Sequence, residues 1–221
     1  VADSRIPPEQ ITGCVLAGGR GARMGGVDKG LQRFQGLPLA LHALQRLAPQ
    51  VGPLLINANR NAAAYAELGQ PLAAEVCADS LPDYPGPLAG FMAGLAHCRT
   101  PWLLCVPCDT PLLPLDLAAR MLASRGDADI VIAHGWDTEH AKPGQPPQLR
   151  AQPVFCLLRA QLASSLECFI IGGGRKIDAW TGQHRSAQAL FDRPGDEQAF
   201  SNANTLAQLL DLEQIATERQ P

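Results

Sequence analysis

The stretch ITGCVLAGGRGARMGGVDKG, residues 11–30, opens as an apolar run and then threads Arg20, Arg23 and Lys29 among Gly18, Gly19, Gly21, Gly25 and Gly26. Glycine lets backbone N–H groups approach a ligand with no Cβ between them. Successive N–H groups form a concavity that draws anions, and a helix start behind it strengthens the pull. Guanidinium and ammonium groups added to such a turn suit a polyphosphate. Neither familiar phosphate pattern fits, however. G-x-G-x-x-G counted from Gly19 needs glycine where Met24 stands, and the P-loop spacing of Gly21 and Gly26 needs lysine where Val27 stands. A phosphate cradle of another kind is expected, the alternative being a plain surface turn.

Lysine is scarce: it occurs only at 29, 142 and 176, with arginine used elsewhere. Residues 20–33 hold Arg20, Arg23, Lys29 and Arg33 against Asp28 alone, in a chain whose net charge is −3. Lys29 is therefore expected to act as a compact point charge.

Two carboxylates and an amide follow apolar runs. In VPCDTPLLP, residues 106–114, Asp109 comes directly after such a run, flanked by Pro107 and Pro111. Facing polyphosphate, one carboxylate is what Mg²⁺ needs, since that ion takes one or two carboxylates, phosphate oxygens and waters; the alternative is a turn residue capping the next helix. Asp79, in ADSLPDYPGPLAG, could accept from two adjacent N–H groups, as on the Watson–Crick edge of guanine, or assist a metal. Asn57, in LLINANRN, suits a base or ribose, although asparagine after a strand is also a common turn former.

These residues need elements to hold them. Apolar runs of strand length recur at 11–16, 54–57, 74–78, 102–106, 129–133 and 153–158. Helical spacing lies between them, at Leu41, Leu44 and Ala48, from about Leu88, and over Leu115–Leu122 behind Pro114. Strands apolar on both faces and alternating with helices predict an α/β fold, a mainly parallel sheet covered on both sides. Ligands of such folds sit at the carboxyl ends of the strands. Residues 134–150, rich in Pro, Gly and charge, predict a long connection, either a substrate lid or a solvated excursion.

Composition bounds the rest. With 221 residues, 46% hydrophobic and 18% charged, one domain or at most two is expected. The mild negative charge points to neither nucleic acid nor membrane as partner, and no apolar run approaches the ~18 residues of a span. Residues 1–10 read as a loose lead-in. Seven scattered cysteines suggest reduced thiols in a cytoplasmic setting. Cys105 and Cys108 have C-x-x-C spacing but lack a second pair or a helix start, and are expected to be small residues closing a buried strand. The five histidines show no metal-ligand spacing.

Taken together, LAGGRGARMGGVDKGL, INANR, DSLPDYPGPLAG, PCDTPLLP and FSNANTLAQL resemble the molybdenum cofactor guanylyltransferases over essentially all of residues 11–212. The resemblance implies a Rossmann-like nucleotidyltransferase fold and transfer of GMP from GTP to molybdenum-molybdopterin, with release of pyrophosphate. It implies a single domain over 11–213, with nucleotide bound by about 11–133, molybdopterin by about 150–213, and a tail over 214–221. By position, Leu16, Ala17, Gly18 and Gly19 would hold GTP through the backbone, Lys29 its phosphates, Asn57 and Asp79 the nucleoside, and Asp109 both nucleotide and Mg²⁺. Arg23 matches the family's loop arginine. Arg175, Lys176, Asn202 and Asn204 would face molybdopterin, Arg175 and Lys176 being equally readable as a solvated turn. Some relatives carry His-Pro-Thr where this chain has Gln152, Pro153 and Val154. Molybdenum insertion proteins and molybdoenzyme chaperones are the implied protein partners. The alternatives are a cytidylyltransferase making the cytosine dinucleotide form of the cofactor, which tends to read Leu-Ala-Ala-Gly and to lack GPLAG, a sugar-phosphate nucleotidyltransferase, and a nucleotide-binding regulator without activity.

Overall fold

The computed structural model describes residues 6–19, 28–79, 86–137 and 148–218. In chain order it holds β1 (Ile11–Leu16), β2 (Arg33–Phe34), β3 (Leu37–Pro38), α1 (Leu39–Leu47), β4 (Leu54–Asn57), α2 (Ala62–Gly69) and β5 (Glu75–Cys77). There follow α3 (Pro87–His97), β6 (Trp102–Pro107), α4 (Leu117–Ser124), β7 (Ile130–Trp136) and β8 (Leu149–Arg159). The last elements are α5 (Ala163–Ile171), α6 (Ile177–Thr181), β9 (Ser186–Phe191) and α7 (Leu206–Glu218).

Seven strands form one sheet in the order β5-β4-β1-β6-β8-β7-β9. The pairs β5–β4, β4–β1, β1–β6 and β7–β9 are parallel, whereas β8 runs antiparallel to both β6 and β7. The sheet is thus mainly parallel, as expected, with one reversed strand. Side chains alternate between its faces, which explains the runs apolar throughout. Val15, Ile56, Leu104 and Leu157 join a core with Leu44 and Leu47 of α1, Tyr65 of α2 and Met121 of α4. Cys14, Leu55, Leu103 and Leu158 join another with Phe91 of α3, Leu166 of α5 and Trp180 of α6. Full burial of each such Leu or Phe contributes about 1.5–3 kcal/mol.

Several boundaries differ from expectation. The connection over 134–150 is shorter, because His134↔Ala151, Gly135↔Arg150 and Trp136↔Leu149 pair across β7 and β8. Its lid or excursion role falls on residues 138–147, outside the described residues. Helix α4 begins at Leu117 rather than Leu115, and Pro114 lies in the turn before it, accepting from Leu117 N at 3.4 Å. Helix α7 carries on beyond residue 213. Its start is a capping box: Gln208 N donates to Thr205 Oγ1 at 3.2 Å, and Gln208 Oε1 accepts from Thr205 N at 3.1 Å. Leu209 and Leu212 of α7 pack on Phe34 of the β2–β3 hairpin. No helix among the described residues is long and apolar enough to cross a membrane.

Candidate active site

Four strand ends are held level by the parallel register. Leu16 pairs with Asn57 on one side and Pro107 on the other, and Asn57 pairs with Cys77. Two residues beyond each lie Gly18, Asn59, Asp109 and Asp79 respectively. Backbone bonds stitch the row together: Ala17 N donates to Asn57 O at 2.8 Å, Ala58 N to Cys77 O at 2.9 Å, and Cys108 N to Leu16 O at 3.1 Å. Groups far apart in sequence thereby reach one edge, where ligands of open α/β sheets bind.

The central pair is Lys29 and Asp109. Lys29 opens a single 3-10 turn, Lys29–Leu31, and its Nζ lies 2.6 Å from Asp109 Oδ2. The same ammonium donates to Asn204 Oδ1. Among the described residues no donor is bonded to Oδ1 of Asp109. Asp109 caps no helix; the residue before α4 is Asp116. The segment 202–204 is bound in at two further points, with Ala203 N donating to Asp109 O at 2.8 Å and Thr110 Oγ1 to Asn202 Oδ1 at 2.8 Å. Asn202 and Asn204, expected to face molybdopterin, thus stand beside Lys29 and Asp109. Arg175 and Lys176 are not with them: they occupy the turn between α5 and α6, where Arg175 donates to Ile170 O and Lys176 precedes α6.

Asn57 and Asp79 form a second group. Asn57 is 2% exposed, and its Nδ2 donates to Asp79 Oδ1 at 2.9 Å. Asn59 adds two bonds, its Nδ2 to Asp79 Oδ2 at 2.6 Å and its Oδ1 accepting from Asp79 N at 2.8 Å. Asp79 is therefore fixed on both oxygens, while Asn57 is oriented toward it. Gly18 lies against this array: a Cβ there would stand 2.9 Å from Asn59 Nδ2 and 3.1 Å from Asn57 Oδ1. Gly19 accepts at its carbonyl from Arg60, 3.0 Å away. Arg23 and the rest of 20–27 lie outside the described residues.

Sequence reasoning passed over Asn59, Arg60, Thr110 and a buried group under Lys29, in which Asp28 accepts from Tyr65 and Asn61. The INANR motif held the signal for Asn59 and Arg60. Cys105 and Cys108 are both buried, and burial pushes both thiols up from their ordinary value, Cys108 far up, so neither presents a ready thiolate.

A strand edge carrying an ammonium and two carboxylates, Lys29, Asp109 and Asp79, on a covered α/β sheet, suits a nucleotidyltransferase site. The family model described as MobA-like NTP transferase domain matches residues 13–188, and the chain belongs to that family. A relative from Acidovorax ebreus, named molybdenum cofactor guanylyltransferase, is 60% identical over 211 residues, covering 94% of this chain and 97% of its own. Another of that name, from Ralstonia nicotianae, is 54% identical over 94% of this chain and 98% of its own. The crystal structure of molybdopterin-guanine dinucleotide biosynthesis protein A from Archaeoglobus fulgidus matches with a TM-score of 0.70, over 94% of this chain and 99% of that one, at 22% identity. At such identity the likeness speaks to the fold alone.

Proposed function

We propose that this enzyme transfers GMP from GTP to the terminal phosphate of molybdenum-molybdopterin, releasing pyrophosphate. What carries the proposal is the Lys29–Asp109 pair at the strand edge of a chain 60% identical to a protein named molybdenum cofactor guanylyltransferase. The attacking phosphate is already ionised near neutral pH, so in-line attack on the α-phosphorus needs no strong general base. The residues are left with positioning and charge neutralisation. Backbone N–H groups from Leu16 to Gly19 would hold the triphosphate, and Lys29 with Arg23 would offset charge building on the leaving pyrophosphate. Asp79, steadied by Asn57 and Asn59, would accept from the guanine edge.

Asp109 at the strand edge suits Mg²⁺, which needs only one or two carboxylates when phosphate supplies further oxygens. Asp109 would hold it, through Oδ1 or after Lys29 turns to phosphate. When bound, the ion neutralises charge on phosphate oxygens. Arg175 and Lys176 remain the proposed cations for the pterin phosphate, and Asn202 and Asn204 would lie where the two substrates meet.

Incubating the protein with Mg²⁺, molybdopterin and each nucleoside triphosphate in turn tests this directly. Pyrophosphate release with GTP and not with CTP is the expected result; release with CTP alone would favour the cytosine dinucleotide instead.

A further inference from the structure

Beneath Lys29 lies a buried polar group that the reaction above leaves unused. Asp28, 9% exposed, accepts at Oδ1 from the Tyr65 hydroxyl at 2.5 Å and at Oδ2 from Asn61 Nδ2 at 2.9 Å. Tyr65 is wholly buried in α2, and Asn61 precedes that helix in the left-handed region, φ 52°. Asp28 is itself the residue before the Lys29–Leu31 turn, with its carbonyl accepting from Leu31 N at 3.2 Å. The phenol ring also sets the turn's distance from α2: a Cβ on Gly30 would meet the Tyr65 ring carbons at 3.2 Å and its hydroxyl closer still. A buried carboxylate is costly without donors, yet this one adjoins the ammonium that reaches Asp109.

We propose that Tyr65, acting through Asp28, is a positioning residue that sets the pose of Lys29. This rests on the assignment of Lys29 to the nucleotide phosphates. Burial, and then the bond to Asp28, hold the phenol's pKa far above its ordinary value, so the hydroxyl stays a donor throughout the working range. Asp28 is thereby fixed at both oxygens, by Tyr65 of α2 and by Asn61 just before it, and Lys29 enters its turn in one direction. Tyr65 touches no substrate in this scheme.

Two measurements test it. The chain holds lysine only at 29, 142 and 176, so selective ¹³Cε labelling with NMR detection gives few signals, and Lys29→Arg identifies that of Lys29. In Tyr65→Phe the Lys29 signal should shift while those of Lys142 and Lys176 stay. Turnover with GTP should fall roughly 10- to 100-fold, the scale of an ångström-sized misplacement, with KM for GTP little changed. In a Lys29→Ala background the same substitution should cost little more, because the two act as a unit. Should Tyr65→Phe fail to fold, Asn61→Ala removes the other donor and should shift the same signal. An unmoved Lys29 signal, or an equal loss in both backgrounds, overturns the proposal. A wild-type protein inactive with GTP would sink the proposed reaction instead and leave the lysine signal to decide this point.

Discussion

Lys29 and Asp109, 80 residues apart, meet with Nζ 2.6 Å from Oδ2 at the level edge of the sheet. The pair is partly exposed, 25% for the lysine side chain and 17% for the aspartate. Each charge neutralises the other, and each can still be drawn away by a partner of greater charge. Polyphosphate would draw the ammonium, and a divalent cation the carboxylate.

Lys29→Ala should therefore remove most activity, about 10²- to 10³-fold as for other transition-state charge stabilisers. A partly exposed ion pair outside the hydrophobic core contributes on the order of 1 kcal/mol to stability, so the thermal midpoint should move by a few degrees at most. Pyrophosphate release and a melting curve on the same preparation check both halves; full activity would remove Lys29 from the mechanism.

Gly18→Ala should weaken GTP binding. Its new methyl would press on Asn59 and Asn57, and buried Asn57 has no room to retreat. Asn59 would give way, releasing its two bonds to Asp79. KM for GTP is expected to rise roughly tenfold, equivalent to ~1.4 kcal/mol, with a smaller change in kcat. Steady-state kinetics at saturating molybdopterin would show this.

Asp79→Asn should relax the choice of base. The substitution replaces one acceptor oxygen by a donor facing the amides of Asn57 and Asn59, so the side chain can no longer accept on both sides. Sites built on hydrogen bonds to a substrate discriminate strongly, and preference for GTP over ATP should drop ~100-fold or more. An unaltered ratio of kcat/KM for the two would show that Asp79 does not read the base.

Stability should decline on mild acidification. Burial lowers the pKa of His42 from its ordinary 6.5, outweighing the upward pull of the Phe34 carbonyl on its ring, and burial lowers His134 as well. The unfolded chain binds these protons at higher pH than the folded one. Their contribution is therefore complete above pH 6.5 and is lost as pH falls through that value toward the lower folded pKa. Melting curves from about pH 7.5 to about pH 5 should show the midpoint falling more steeply in the wild type than in His42→Gln. Parallel curves would remove His42 from the account.

Much of this was legible in the chain. The strands ending at Leu16, Asn57 and Pro107 announce themselves because both their faces are buried, so their residues are mostly apolar, whereas the edge strand Glu75–Cys77, exposed at Glu75, shows only as a short β-prone patch. Asp109 was legible for the same reason, standing just past such a run, and Asp79 because it follows the short patch around Val76. The reversal of β8 was not, since an apolar run carries no direction. Nor was β9, an edge strand whose residues alternate in exposure over Ser186–Phe191 and never form a run. Tyr65 meets Asp28 across 37 residues through packing of α2 on the Lys29 turn, and Asn204 meets Lys29 across 175. Such pairings depend on tertiary geometry, and local pattern holds no trace of them.

The return of segment 202–204 to the first strand edge also imposes an order on synthesis. The amide of Asn204 touches the Lys29 ammonium, and Ala203 clasps the backbone of Asp109. On the ribosome, the strands β5, β4, β1 and β6 can come together early, but the ammonium lacks this neighbour until residue 204 has cleared the exit tunnel. A half-made chain thus carries the Lys29–Asp109 pair without its finished surroundings.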